Sequence, residues 1–186
     1  MLHIIDRNAK RLQRLTEDIL DITRIESKSL QLKKEQFNLN KMLQNAISDF
    51  QNQLHKEYRS NNLSLEFIEP ENDILVDADK GRISQIVSNL LSNAIKFTDH
   101  GKVSVMAIRN EHKAIVSIKD TGPGIDPEIL PRLFTKFATK SNTGTGLGLY
   151  ISKNIIEAHR GRIWVENKSD NGATFSFSLP CNKAEQ

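Results

Sequence analysis

GTGLGLYISK, residues 144–153, is the stretch on which the reading of this chain turns. Three glycines at every second position run straight into an apolar-periodic segment, Leu147, Leu149, Tyr150, Ile151, Ile155 and Ile156. The spacing predicts a flexible loop feeding a helix N-terminus. Such an end presents unpaired N–H groups and a partial positive charge, which suits an anion and phosphate above all. Glycine lets the backbone approach a ligand and adopt positive φ. Two well-known phosphate loops do not fit. A P-loop needs a Lys after its last glycine, and none follows Gly148; the G-x-G-x-x-G fingerprint needs glycine where Leu149 stands, and no strand-like run precedes Gly144. A glycine-rich turn capping a helix is the other reading of the same residues.

Composition bounds the answer. A chain of 186 residues allows one domain, or one domain and an appendage. Hydrophobic residues at 38% and charged ones at 26% are ordinary for a globular protein with a real core. The single cysteine, Cys181, excludes an internal disulfide framework, so a cytoplasmic setting is expected. No apolar run approaches the roughly 20 residues of a membrane span, and no signal-peptide pattern opens the chain. No membrane contact by this chain is expected; an anchor would belong to a longer parent. A net charge of +3 without a basic cluster interleaved with aromatics argues against nucleic acid.

Outward from the glycine stretch, the rest of the chain alternates helical and strand patterns. Leu2, Ile5, Ala9, Leu12, Leu15, Ile19, Ile22 and Ile25 recur at steps of three and four, and Leu20 widens the stripe. One amphipathic helix is predicted from residue 2 to about 32, its face to be buried against partner helices, expected from another subunit. An ordinary core helix of the same chain is the alternative. The stripe is broader than a coiled-coil seam, which favours a four-helix bundle. Ser27 to Asn40 is the expected boundary, with a short extended piece at Gln36 to Leu39. A second helix follows from about Asn40, read as its N-cap, to Tyr58. Strands are predicted at Leu63–Phe67, Ile74–Val76, Val103–Ala107, Ala114–Ile118, Ile163–Glu166 and Thr174–Leu179, with turns at Asn110–His112 and Ser169–Gly172. Asp79–Thr98 is helical. The fold class is α+β: a two-layer sandwich of a mixed β-sheet with helices on one face, preceded by a long amphipathic helix.

Two further signals carry chemistry. On helix 79–98, Ile83, Ile86, Val87, Leu90, Ala94 and Phe97 share one face, while Gln85, Asn89 and Lys96 form an adjacent polar ridge with Asn93 at its border. Two asparagines at i, i+4 beside a lysine suit a phosphate-bound Mg²⁺, a hard ion that prefers oxygen ligands. A helix-to-neighbour hydrogen bond is the plainer role for either asparagine. Asp120-Thr121-Gly122-Pro123-Gly124-Ile125 sets a carboxylate where a strand meets a glycine turn. A carboxylate repels phosphate but accepts from an amino group such as adenine's; an Asx-type turn is the alternative.

These three pieces, in this order, resemble the ATP-binding domain of sensor histidine kinases, within the superfamily of gyrase, mismatch-repair and heat-shock chaperone ATPases. QIVSNLLSNAIKFT (85–98) is similar to that family's N box, DTGPGI (120–125) to its G1 box, LFTKFATK (133–140) to its F box and GTGLGL (144–149) to its G2 box. NGATFSFSLP (171–180) is similar to its closing strand. ILDITRIES (19–27) and FNL (37–39) look like the second helix of the dimerisation domain and its junction. The resemblance covers nearly the whole chain.

The resemblance implies residues 1–33 as the second dimerisation helix, 34–181 as the ATP-binding domain and 182–186 as a tail. It implies that ATP and Mg²⁺ are bound. Asn93 would hold the metal, Asn89 and Lys96 would act on the phosphates as the catalytic pair, and Phe97 would lie against the nucleotide. Asp120 would take the adenine amine beside Gly122, Gly124 and Ile125. Gly144, Thr145, Gly146, Leu147, Gly148 and Leu149 would form a phosphate-side lid, with Thr174 at the pocket floor. Phe134 and Phe137 would anchor the lid's leading edge, although two phenylalanines three apart also fit a packed helix face. Implied partners are a second copy, through a helical bundle of the parent protein, and the receiver domain of a response regulator.

Departures from the pattern refine the expectation. The spacer Ala138–Thr143 is short, and His159-Arg160-Gly161 stands where two glycines are usual. The family's first dimerisation helix, with its phosphoacceptor histidine followed by an acid, is not found. None of His3, His55, His100, His112 and His159 has that context, and His3, followed by Ile4, reads as a surface residue. The chain by itself is therefore expected to lack autophosphorylation. Hydrolytic relatives carry a glutamate near Asn89, and asparagine cannot serve as that base. A serine kinase of the anti-sigma type is disfavoured by the dimerisation-like helix. The non-enzyme alternative is a nucleotide-sensing or dimerisation module.

Overall fold

Alternating apolar and polar residues pair the extended segments into two sheets. The computed structural model describes residues 2–56, 62–139, 144–167 and 172–181, the side chains of 2–8, 10 and 11 excepted. In it β1 (Glu35–Asn38) and β3 (Leu75–Ala78) form a small antiparallel pair. The main sheet holds β2 (Leu63–Ile68), β4 (Gly101–Asn110), β5 (Lys113–Asp120), β6 (Arg162–Asn167) and β7 (Ala173–Pro180), ordered β2-β4-β5-β7-β6. Only β2 and β4 run parallel, so the sheet is mixed. Period-two alternation sends Val103, Val105, Ala107, Val116, Ile118, Phe175 and Phe177 to one buried face, and leaves Ile68, Met106 and Ile108 on the other.

Three helices cover the buried face: α2 (Leu39–Lys56), α3 (Lys80–Phe97) and α4 (Gly148–Ala158). The expected two-layer α+β sandwich is what forms. Leu90, Leu91, Ile118 and Phe177 are fully enclosed between the layers, each contributing about 1.5–3 kcal/mol by leaving water. Asp79, expected as the first helical residue, instead caps α3, its Oδ1 accepting from the Arg82 N–H at 3.1 Å.

Several boundaries differ from the expectation. The first helix, α1 (Leu2–Glu26), stops well before residue 32. Lys28 takes φ 53, its N–H donates to the Ile25 carbonyl (3.1 Å) and the Ser29 N–H to that of Arg24 (2.8 Å). Those two bonds close the helix C-terminus with a lysine where glycine is usual. The cap of α2 is Asn38, whose Oδ1 accepts from the Lys41 N–H, and not Asn40. Asn40 is buried one step inside the helix and donates to the Asn72 carbonyl at 3.0 Å. Residues 57 and 58, expected at the end of α2, the turn at 169–171 and the tail 182–186 lie outside the described residues. A short 3₁₀ turn at Leu130–Arg132 had no counterpart in the periodicity.

The apolar stripe of α1 divides between two surroundings. Ile22 and Ile25 pack against the domain core, and Asp21 is buried beside them. Leu12, Ile19 and Leu20 remain exposed at 65%, 53% and 52%.

Candidate functional site

A cleft of about 1160 Å³ opens between α3, the loop after β5, the glycine stretch and α1. Asn89, Asn93, Lys96, Phe97, Asp120, Gly124, Ile125, Gly144, Thr145, Gly146, Gly148 and Leu149 all line it. Motifs read separately along the sequence thus meet on one concave surface.

Asp120 forms the carboxylate wall. It ends β5, is buried, and its Oδ1 accepts from the Gly122 N–H (2.9 Å) and the Ala173 N–H (3.2 Å). Those bonds occupy one oxygen and leave Oδ2 for a ligand donor. Burial pushes the carboxyl above the ordinary aspartate range, against the pull of the two N–H groups. Gly172, at φ 96, sits so close to the Asp120 carbonyl that a side chain there would run into it. The β6–β7 hairpin is in this way pressed against the Asp120 loop.

The opposing wall is polar and cationic. Asn89 donates to the Ser152 hydroxyl at 3.0 Å, which orients its amide toward the start of α4. Gly148 begins that helix against the Asn89 amide, in space that no Cβ could share. The Lys96 amine rests over the Phe97 ring, 4.9 Å from its centroid, and beside Gly144. Burial pushes that amine below its ordinary pKa, the shift an anionic ligand would reverse. Glycine loop, helix N-terminus and lysine together suit phosphate.

A third wall comes from α1, through Arg14, Leu15, Glu17 and Asp18. The Thr145 hydroxyl of the glycine stretch donates to Asp18 at 3.3 Å. One turn on, the buried Asp21 carboxylate receives two bonds from Arg82 Nη1 (2.7 and 2.8 Å) and one from the Gln85 amide (2.8 Å). Lys136, just before Phe137, pairs with Glu26 at the end of the helix. Burial raises the Asp18 carboxyl, partly offset by the Thr145 bond.

Three expected residues stand elsewhere. Gly122 lies behind Asp120 and Leu147 is buried in the core beneath the loop. Thr174 does not reach the pocket floor: strand alternation turns it to the far face of the sheet, and its neighbours Ala173 and Phe175 line the cleft instead. Phe134 and Phe137 do not share a helix face. Phe134 packs on the core, whereas Phe137 is 69% exposed at φ 62. Residues 140–143 of the Ala138–Thr143 spacer lie outside the described residues, as does the side chain of His3.

Sequence reasoning missed Asp18, Asp21, Arg82, Ser152 and Asn167 as site-supporting residues. Each finds its partner across a long separation: 61 residues for Asp21–Arg82, 63 for Asn89–Ser152 and 42 for Ile125–Asn167. No local pattern marks such pairs. The one available signal was the polar ridge on α3, which also contains Gln85.

Fold and cleft together define a nucleotide-binding domain of the α+β ATPase class. The chain belongs to the family of histidine kinase-, DNA gyrase B- and HSP90-like ATPases, which matches residues 78–183. It is 30% identical over its full length to the sensor histidine kinase WalK of Bacillus subtilis (strain 168), of which it spans 31%. Full-length ShkA in complex with AMPPNP has a similar structure (TM-score 0.79, 28% identity), the likeness covering 96% of this chain and 37% of that one. So does histidine kinase ThkA in complex with the response regulator TrrA (TM-score 0.75, 31% identity; 98% of this chain, 51% of that one). Among the described residues no helix is long and apolar enough to cross a membrane.

Proposed function

We propose that this chain holds Mg-ATP and presents its γ-phosphoryl group to a histidine on a dimerisation helix outside these 186 residues, for onward transfer to a response regulator. The observation that carries this reading is the meeting, in one cleft, of the half-occupied Asp120 carboxylate with the glycine loop, Asn89, Asn93 and Lys96. Residues 1–33 serve as stem and 34–181 as ATP-binding domain, with α1 ending at Glu26 and the first strand opening at Glu35. The exposed Leu12, Ile19 and Leu20 supply the face for a second copy. The free, buried Cys181 fits a cytoplasmic setting.

Each residue's task follows from its chemistry. Asp120 Oδ2 accepts from the adenine amine and would repel the carbonyl oxygen that guanine carries in its place. Lys96 and the N–H groups at the start of α4 bind phosphate oxygens. Asn89, held by Ser152, orients the phosphates, and its amide cannot abstract a proton from water, so transfer is favoured over hydrolysis. The donors fit Mg²⁺: Asn93 offers a hard amide oxygen, and among the described residues there is no cluster of three acids or histidines to select another metal. Bound there with phosphate oxygens, Mg²⁺ would neutralise their charge. Phosphoryl transfer asks the protein chiefly for positioning and charge stabilisation.

Titration calorimetry tests the pocket. Wild type is expected to prefer ATP over GTP, and Asp120→Ala to lose about 1–3 kcal/mol of ATP binding; equal affinity for the two nucleotides sinks the assignment. With γ-labelled ATP the chain alone should gain no phosphohistidine, and a separately added dimerisation hairpin from the parent should take the label. Label on this chain that vanishes in His3→Gln would place the acceptor on α1 instead.

A further inference from the structure

A single side chain holds both polar groups of one residue in the adenine-side loop. Asn167, the last residue of β6, accepts from the Ile125 N–H at 2.9 Å and donates its amide to the Ile125 carbonyl at 2.6 Å. A neighbouring strand would offer the same pairing. Here it is made by a carboxamide, which carries a donor and an acceptor side by side without charge. The loop is held at both ends, where the Thr121 N–H donates to the Lys102 carbonyl (3.1 Å) and the Asp126 carbonyl accepts from the Ile129 N–H (3.0 Å), and Asn167 grips the middle. Pro123 has no N–H, Gly124 sits at φ 79, and Thr121, Pro123 and Asp126 are exposed. Gly124 also lies against Asn167 and the Gly172 carbonyl. Asn167 itself is absent from the cleft lining, whereas Gly124 and Ile125 belong to it.

We propose that Asn167 is a positioning residue for adenine-nucleotide binding: it fixes Gly124 and Ile125 in the shape the base meets, before the ligand arrives. A glycine-containing loop left free must be ordered at the moment of binding, and that cost subtracts from affinity. The clamp pays it during folding instead. The inference rests on the nucleotide reading above, with the base at the Asp120 wall. It explains why the β6–β7 hairpin is tied to the loop at three points: Asn167 to Ile125, Ala173 to Asp120, and Gly172 against the Asp120 carbonyl.

The test compares wild type, Asn167→Ala and Asn167→Asp by ADP calorimetry and amide hydrogen exchange. Asn167→Ala should weaken ADP about tenfold, equally with Mg²⁺ and with chelator, because the loss lies at the base. Its preference for ATP over GTP should persist, since Asp120 remains, and the Ile125 amide should exchange faster in the free protein. In Asn167→Asp the ionised carboxylate faces the Ile125 carbonyl; protonation restores a donor beside an acceptor. Its ADP affinity relative to wild type should therefore recover as pH falls into the carboxylate range, a dependence that a general loss of folding would not produce. Wild-type ADP affinity in Asn167→Ala, or unchanged exchange at Ile125, overturns the inference. Should wild type itself bind ATP and GTP alike, the nucleotide reading falls, and the Ile125 exchange still decides whether Asn167 holds the loop.

Discussion

The Asp120 wall and the α1 wall of the cleft are built by different means. At the Asp120 wall, main-chain groups of Gly122, Ala173 and Ile125 are fixed by Asp120 and Asn167, all within the sheet domain. On the α1 side, the glycine stretch, the base of α3 and the Phe137 segment are joined to the helix by side chains: Thr145 to Asp18, Arg82 and Gln85 to Asp21, Lys136 to Glu26. The first set survives any displacement of α1, and the second does not. The Asp120 side is thus a property of the sheet domain, and the glycine-loop side also depends on where α1 lies.

The largest expected effect breaks the rigid wall. Gly172→Ala forces a side chain into the Asp120 carbonyl at a backbone φ of 96, and about 3 kcal/mol of stability should be lost in urea denaturation. Next comes the stem. Asp21→Ala removes the carboxylate that Arg82 and Gln85 share, leaving Arg82 its bond to the Gln85 oxygen, and should cost about 2 kcal/mol of α1 docking. Hydrogen exchange along α1 and a double-mutant cycle with Arg82→Gln measure it. Affinity for adenosine should not change, which is the sharpest contrast between the walls; a matching loss of adenosine binding would erase the distinction.

His159 supports the scaffold beneath both. Its Nδ1 donates to the Ile155 carbonyl (2.8 Å) and its Nε2 accepts from the Asp79 N–H (3.0 Å), so the folded protein needs the neutral ring. Burial lowers its pKa from 6.5, helped by Lys34 and opposed by the Ile155 carbonyl and by Asp79 and Asp77. A depressed pKa means the unfolded chain binds the proton first. Stability from this group is therefore present above pH 6.5 and is lost as pH falls through the lower folded value. Thermal melts should show this acid loss, about 1 kcal/mol for the Asp79 bond, and His159→Gln should flatten that part of the profile. The smallest effect is a gain. Arg160 occupies φ 59, and Arg160→Gly should raise stability by a few tenths of a kcal/mol, the relief of strain being partly offset by glycine's chain entropy.

Much of the fold was legible because its signals are local. Period-two runs marked the strands of the main sheet, and period 3.6 marked α3 over Asp79–Thr98, one residue beyond its ends on either side. The misplaced features have physical reasons. Residues 27–32 lack a helix breaker, yet Lys28 accepts a left-handed conformation once Ser29 and Lys28 have carbonyls to bond. Asn38 and Asn40 look alike as caps; only packing against Ile74 and Asn72 selects the first. Thr174 was given to the right strand but to the wrong face, a one-residue shift that reverses every side chain.

Chemistry at the cleft was encoded in short motifs. A glycine loop before a helix, paired asparagines beside Lys96, and an aspartate at a strand end each carry their ligand preference within a few residues. The support around them was not readable in this way. Asp21–Arg82, Asn89–Ser152 and Ile125–Asn167 join positions 61, 63 and 42 residues apart. Such pairs exist only after the sheet, with its β2-β4-β5-β7-β6 order, and the docked α1 bring distant segments together. Periodicity and turn chemistry act through neighbours in the chain, while a buried hydrogen bond is set by neighbours in space. Sequence alone therefore reaches most of the groups that line the cleft, and tertiary packing determines which residues hold them in place.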